Sequence, residues 1–213
     1  MRDKGLSQLF LALTLTTIPL WLARANLLVN SDFSEWENDS TPVGWTIESR
    51  TYASIWREDG QGNSAPPCLK IIRLQAGTGN NKGIVQNCPV IAGQDYTVAV
   101  WLQTPAMPDT LQYASARIIV TWRNANGAAI GSTSPAYIHQ PIWTEQRYVA
   151  TAPNNPNGDS IAASADIIIR CYGRAGSTPG GIVLVDDASF VQGAAAAEPR
   201  TSSAAEQLSL RVS

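Results

Sequence analysis

The sequence predicts an all-β fold: a two-sheet sandwich or jelly roll of about ten strands. Three observations carry this. Strand signals recur along the chain with short punctuated gaps. No window holds a sustained 3.6-residue apolar repeat. The chain carries 16 Gly and 13 Pro among 213 residues, a composition that favours short strands and many turns. Ten strands are too many for one flat sheet in so short a chain, so two packed sheets are expected.

The elements are expected in the following order. Residues 1–25 read as a cleaved export signal. Arg2 and Lys4 give a positive start, an apolar charge-free run follows over 9–22, and Ala23-Arg24-Ala25 supplies the small-x-small site. The run is too short for a membrane span and is broken by Pro19, so no membrane contact is expected after cleavage. Residues 26–193 form the sandwich domain. Strands are expected at 26–29, 45–50, 53–58, 68–74, 83–91, 96–104, 115–124, 144–152, 161–172 and 181–191. Turn clusters separate them at 38–42, 60–67, 104–109, 124–127 and 154–159. Residues 194–213 are Ala/Ser-rich without aromatics and read as a flexible tail or linker. The protein is expected to be secreted or at the cell surface, and monomeric.

The composition excludes several functions. Charged residues make up 15% and the formal net charge is −2, which offers no broad basic field for nucleic acid. The single His excludes sites needing two imidazoles. His139, between Tyr137 and Pro141, has no motif partner and reads as a surface or loop residue. No G-x-S-x-G elbow is present. The carboxylate pairs Glu35/Glu37, Glu58/Asp59 and Asp186/Asp187 are the candidates for glycoside hydrolysis. Neighbours in a strand point to opposite faces, so the last two pairs have poor geometry for a shared site. A non-catalytic protein is expected.

Three cysteines allow one disulfide. If 68–74 and 82–90 pair as a hairpin, Cys68 falls opposite Cys88. The other reading is three buried thiols that pack as small apolar groups.

Alternation assigns faces. Tyr96, Val98, Val100 and Leu102 face the core, which puts Trp101 and Gln103 outside. Ile118, Val120 and Trp122 share one face, with Arg117 and Arg123 on the other. Ala165, Ile167, Ile169 and Cys171 share one face, with Arg170 and Tyr172 on the other. If these strands are neighbours, Trp101, Gln103, Arg117, Arg123, Arg170 and Tyr172 converge. Rings can stack on a pyranose while planar donors bond its hydroxyls. The other reading is a solvated sheet face, where arginine stems cover rings. The loop aromatics Trp56, Tyr113 and Tyr137 are placed to rim such a site.

Five islands, in order, resemble secreted carbohydrate-binding modules of the galactose-binding-like jelly-roll type, families four, nine and twenty-two. The opening Asn26-Leu27-Leu28-Val29-Asn30-Ser31-Asp32-Phe33 resembles "N-L-hydrophobic-x-N-x-G-F-E". Pro42-Val43-Gly44-Trp45 resembles "P-x-G-W". Leu69-Lys70-Ile71, Val85-Gln86 and Ala92-Gly93-Gln94-Asp95-Tyr96-Thr97-Val98 resemble the middle strands. Trp143 with Thr151-Ala152-Pro153 resembles "W … T-A-P". Val183-Leu184-Val185-Asp186-Asp187-Ala188-Ser189-Phe190 resembles the closing "V-x-F-D-D-V-S-L". The resemblance spans 26–192. It implies non-catalytic binding of a polysaccharide or glycan. It also implies a structural Ca²⁺ between the loop after the first strand and the closing strand, with Asp187 or Asp186 matching the closing-strand ligand. Asp32 and Ser34 stand where the family has Gly and Glu, and both could offer oxygens. The other reading is aspartates that cap loop N–H groups. The alternative function is a structural or adhesive surface module, with glycoside hydrolysis third.

Overall fold

The computed structural model describes residues 25–155 and 160–193. The expectations for 1–24 and for the tail at 194–213 lie outside the described residues. The described chain contains no helix, and none is long and apolar enough to cross a membrane. Fourteen strands are formed among the described residues: β1 (Trp36–Asn38), β2 (Thr41–Pro42), β3 (Thr46–Ile47), β4 (Ala53–Glu58), β5 (Cys68–Arg73), β6 (Gly83–Pro89), β7 (Asp95–Gln103), β8 (Ser115–Arg123), β9 (Ala129–Thr133), β10 (Thr144–Thr151), β11 (Asn154–Asn155), β12 (Ser160–Ile161), β13 (Ser164–Tyr172) and β14 (Ile182–Gln192). Two five-stranded sheets make a jelly-roll sandwich. Sheet I has the order β10-β7-β14-β5-β4, and sheet II has the order β3-β6-β13-β8-β9. Two small ribbons, β1-β2 and β11-β12, decorate it.

Alternation builds the core between the sheets. Val98, Val100 and Leu102 of β7 meet Ile118, Val120 and Trp122 of β8 and Ile167 and Ile169 of β13 in one buried cluster. The inward faces match those assigned from the sequence. Phe33, Trp45 and Phe190 are all buried in the same cluster, with Tyr96 stacked on Phe190 at 4.8 Å. Gly93 turns the chain into β7 at a φ of 77°, where a side chain would be strained.

Three expectations are corrected. Residues 26–29 form no strand. Their backbone is tied by single bonds, from Leu27 N–H to the Phe190 carbonyl and from Val29 N–H to the Gln86 side chain. Strand β9 was missed because it is an edge strand with mostly exposed residues and no apolar alternation. The hairpin that set Cys68 opposite Cys88 does not exist. After β5 the chain crosses from sheet I to β6 of sheet II, and all three cysteines are buried free thiols. Burial pushes the Cys68 and Cys171 thiols up to about 12 and Cys88 to about 11, so none is a ready thiolate.

Candidate functional site

The two sheets divide the residues expected to converge. Trp101 and Gln103 lie on β7 in sheet I, whereas Arg117 and Arg123 lie on β8 and Arg170 and Tyr172 on β13, in sheet II. Both groups face outward, so they stand on opposite sides of the sandwich. Trp56, on β4, shares the outer face of sheet I. Three strand spacings separate it from Gln103, or about 14 Å, and Lys70 between them is bonded to Glu58 at 2.6 Å. Gln103 spends its amide on the Pro141 carbonyl at 2.6 Å. Sheet I therefore offers two separated tryptophans and no shared platform.

The outer face of sheet II is different. Strands β8 and β13 place Arg117 beside Arg170 and Ser115 beside Tyr172. Arg170 forms a two-point ion pair with Glu48, whose carboxylate also accepts the Gly83 N–H at 3.0 Å. Arg123 pairs with Asp166 at 2.6 Å, and Asn87 donates to the same carboxylate. These two arginines are thus consumed as surface braces, each raised from its ordinary value by its carboxylate. Arg117 has no such partner among the described residues. Its guanidinium lies 4.4 Å from the Tyr137 ring and 5.1 Å from the Tyr172 ring. The two rings meet edge to face at 4.8 Å.

Tyr137 arrives from the segment after β9, which returns along the edge of β8. Ala116 and Ile138 exchange two backbone bonds of 2.8 Å. Gln146 reaches from β10 to hold both the Ala136 carbonyl and the Ile118 N–H. Tyr137 is thereby fixed while remaining 51% exposed. Tyr172, only 7% exposed, forms the base beneath it with Ile119 and Ile168.

A cleft of about 360 Å³ opens beside this pair. Tyr113, Tyr137 and Tyr172 supply its rings, and Thr78, Asn81, Ser115 and Arg174 supply polar groups. Arg174 lies 4.6 Å above the Tyr113 ring. Tyr113 and Arg174 also line an adjoining cleft of about 280 Å³, with Asp109, Gln112 and His139. His139 Nδ1 lies 2.6 Å from the Ala114 carbonyl. A carbonyl only accepts, so Nδ1 is the donor in this contact.

Of the sequence candidates, Arg117, Tyr172, Tyr113 and Tyr137 come together here. Arg174, Thr78 and Asn81 were missed. They lie in glycine-rich turns, and the only sequence signal was the turn composition itself.

The walls of the cleft hang on Arg73, which is 1% exposed. Its guanidinium donates to the carbonyls of Gln75, Gly77, Tyr113 and Thr178 and to the Ser177 hydroxyl. Burial pulls its pKa down from the ordinary value.

The residues named for Ca²⁺ are engaged otherwise. A bulge in β14 falls between Asp186 and Ser189, and Asp187 takes a φ of 45°. The bulge cancels strict alternation, so both aspartates reach Asn63. Its N–H donates to Asp186 at 2.7 Å and its amide to Asp187 at 2.8 Å, while Ser64 also donates to Asp187. Asp32 accepts from the N–H and hydroxyl of Ser34. Among the described residues, no three His, Cys, Asp or Glu side chains gather as a metal site. In this arrangement the Asp186 and Asp187 oxygens accept from Asn63, Ser64 and the Asp187 N–H, and Asp32 accepts from Ser34.

Asp186 makes a pH prediction. It is fully buried, and that desolvation raises its carboxyl above the ordinary 3.8, with the Asp187 charge adding to the rise and the Asn63 N–H opposing it. The folded state then holds the proton more tightly than the unfolded chain. This contribution to stability is full below the ordinary value and is lost as pH rises through the raised one. Melting temperatures across that window should fall more in the wild type than in Asp186→Asn. A constant offset between the two profiles would refute the assignment.

No protein-family model matches the sequence. No curated protein matches it either. Solved structures do match in fold. The CBM22-1 xylan-binding domain of Paenibacillus barcinonensis Xyn10C has a TM-score of 0.54 and 13% identity, covering 82% of this chain and 98% of that one. The arabinose-bound MgGH51 α-L-arabinofuranosidase has a TM-score of 0.55 and 16% identity, covering 79% of this chain but only 26% of that one. A cyclase from Fischerella sp. TAU, in complex with 4-(1H-indol-3-yl)butan-2-one, has a TM-score of 0.55 and 13% identity over 79% and 97%. At these identities the likeness is one of fold, and one fold hosts many functions.

Proposed function

We propose that this chain is a non-catalytic module that binds a polysaccharide or glycan on the outer face of sheet II. The observation that carries the reading is the Tyr137–Tyr172 pair, backed by Arg117, at the mouth of a cleft of about 360 Å³. Tyr137 presents a fixed, exposed ring for the apolar face of a sugar. Thr78, Asn81 and Ser115 offer hydroxyl and amide groups to its hydroxyls. The likeness in fold to a xylan-binding domain supports the same reading. The lining also suits binding over cleavage. It consists of rings, hydroxyls, amides and a guanidinium, whereas glycoside hydrolysis takes two facing carboxylates.

The test is titration calorimetry against xylan, arabinan and other plant and bacterial glycans. Tyr137→Ala should weaken binding about tenfold or more while the circular dichroism is unchanged. Trp101→Ala, on the opposite sheet, should leave binding intact. Failure of every glycan to bind, or wild-type affinity in Tyr137→Ala, would overturn the proposal.

A further inference from the structure

Charge pairing at the cleft narrows the ligand, taking the binding reading above as its base. On the described surface, Arg57, Lys70, Arg123, Arg147 and Arg170 each bond a carboxylate within 4.0 Å. Arg50, Lys82, Arg117 and Arg174 make no such bond; of these, Arg117 and Arg174 flank the cleft. Both are held instead over tyrosine rings, Arg117 at 4.4 Å from Tyr137 and Arg174 at 4.6 Å from Tyr113. Arg117 already spends its Nε–H on the Tyr172 hydroxyl at 3.4 Å, whereas the exposed Arg174, stacked over Tyr113, keeps an N–H edge that can donate. That edge matches the spacing of two oxygens on a carboxylate or sulfate. The cleft of about 360 Å³ has no acidic residue in its lining. Asp109 lines the adjoining cleft, which shares Tyr113 and Arg174 with this one. Two uncompensated cations thus border one cleft in a chain whose formal charge is −2.

We infer that the ligand is an acidic saccharide, whose carboxylate or sulfate is received by Arg174 in the cleft wall while Arg117 supports it from behind the tyrosine pair. A sugar ring on Tyr137 and an anionic substituent toward Arg174 use both features of the site at once. The exposed Arg174 is free to turn its edge to the ligand without any change in the fold.

The experiment compares four probes at low salt: a neutral xylo-oligosaccharide, the same oligosaccharide bearing a glucuronic acid branch, oligogalacturonate and a sulfated galactan. At least one acidic probe should bind about tenfold more tightly than the neutral one, and 0.5 M NaCl should erase most of that advantage. Arg174→Gln should remove the preference for the acidic probe. Arg117→Lys keeps a charge but loses the planar fork, and should weaken the acidic probe about threefold or more. The carboxylate and sulfate arms identify which anion is read. Equal binding of neutral and acidic probes would overturn the inference and leave the glycan reading standing. An acidic preference that survives Arg174→Gln would overturn it too. Absence of binding to all four would overturn the inference, and only the failure of the wider glycan set would overturn the binding reading with it.

Discussion

Arg73→Met should lower stability by about 3 kcal/mol or more. For a domain of this size that is a fall of roughly 6–12 °C in melting temperature. The reason is where Arg73 sits. It follows Leu69 and Ile71 on the inward face of β5, and all three are buried. Its charge is satisfied by four carbonyls and one hydroxyl drawn from three separate stretches: 75–77, Tyr113 and 177–178. Its own backbone joins the same knot, donating to the Gly181 carbonyl and accepting from Gly180. Gly173 lies so close that an added Cβ would fall 2.7 Å from the guanidinium. Met fills the stem but leaves the four partly buried carbonyls without the guanidinium as donor. Arg73→Lys should rescue little, because one ammonium cannot span three stretches at once. The same carbonyls position Tyr113, Thr178 and the turn before Thr78, so the variant should lose glycan affinity even at temperatures where it remains folded. A loss below about 1 kcal/mol in denaturant titration would show that water replaces the guanidinium, and would refute the hub.

What the sequence made legible was local. A two-residue period placed Val98, Ile118, Ile167 and their neighbours inward without any knowledge of the fold, since alternation is fixed by the pleat alone. Sheet membership is not a local property. Strands β7 and β8 are consecutive long strands, and nothing between residues 104 and 114 states that the chain crosses the sandwich there. That crossing separated Trp101 from Arg117, and the same kind of crossing after β5 separated Cys68 from Cys88. The bulge at Asp187 was hidden for a related reason: alternation is assumed until a partner strand reveals an extra residue. Tyr113 and Tyr137 were named as rim residues from their place in loops, and the structure does bring them to one cleft. Arg73 was readable in principle. A charged residue in phase with Leu69 and Ile71 requires buried partners, but the loops that supply them carry no sequence mark beyond glycine.

Trp45→Ala separates the stability of the fold from the integrity of the cleft. Trp45 is buried to 4% in the main core and packs on Phe33 with ring centroids 5.4 Å apart. Its indole N–H donates to the Asn30 carbonyl at 3.2 Å. Asn30 in turn bonds the Glu35 and Val43 backbones, and Gln86 bonds Val29 and Gly44. The opening segment 26–45 is therefore braced within itself by the Trp45 indole and the Asn30 amide, and is held to the sandwich by the Gln86 and Asn26 amides and the backbone bonds of Leu27 and Ser31, in place of a long strand ladder. Truncation removes a large ring from a close-packed site and should cost about 3–5 kcal/mol. Trp45→Phe keeps most of the packing and loses the N–H donor, so about 1–2 kcal/mol is expected. Neither residue lines the cleft, so wherever the variants are still folded their affinity for the bound glycan should match wild type. Arg73→Met should lose both stability and affinity, whereas Trp45→Ala should lose stability alone. If both variants lost affinity in proportion to stability, the cleft would be no more than a readout of global folding, and the role assigned to Arg73 in holding its walls would fail.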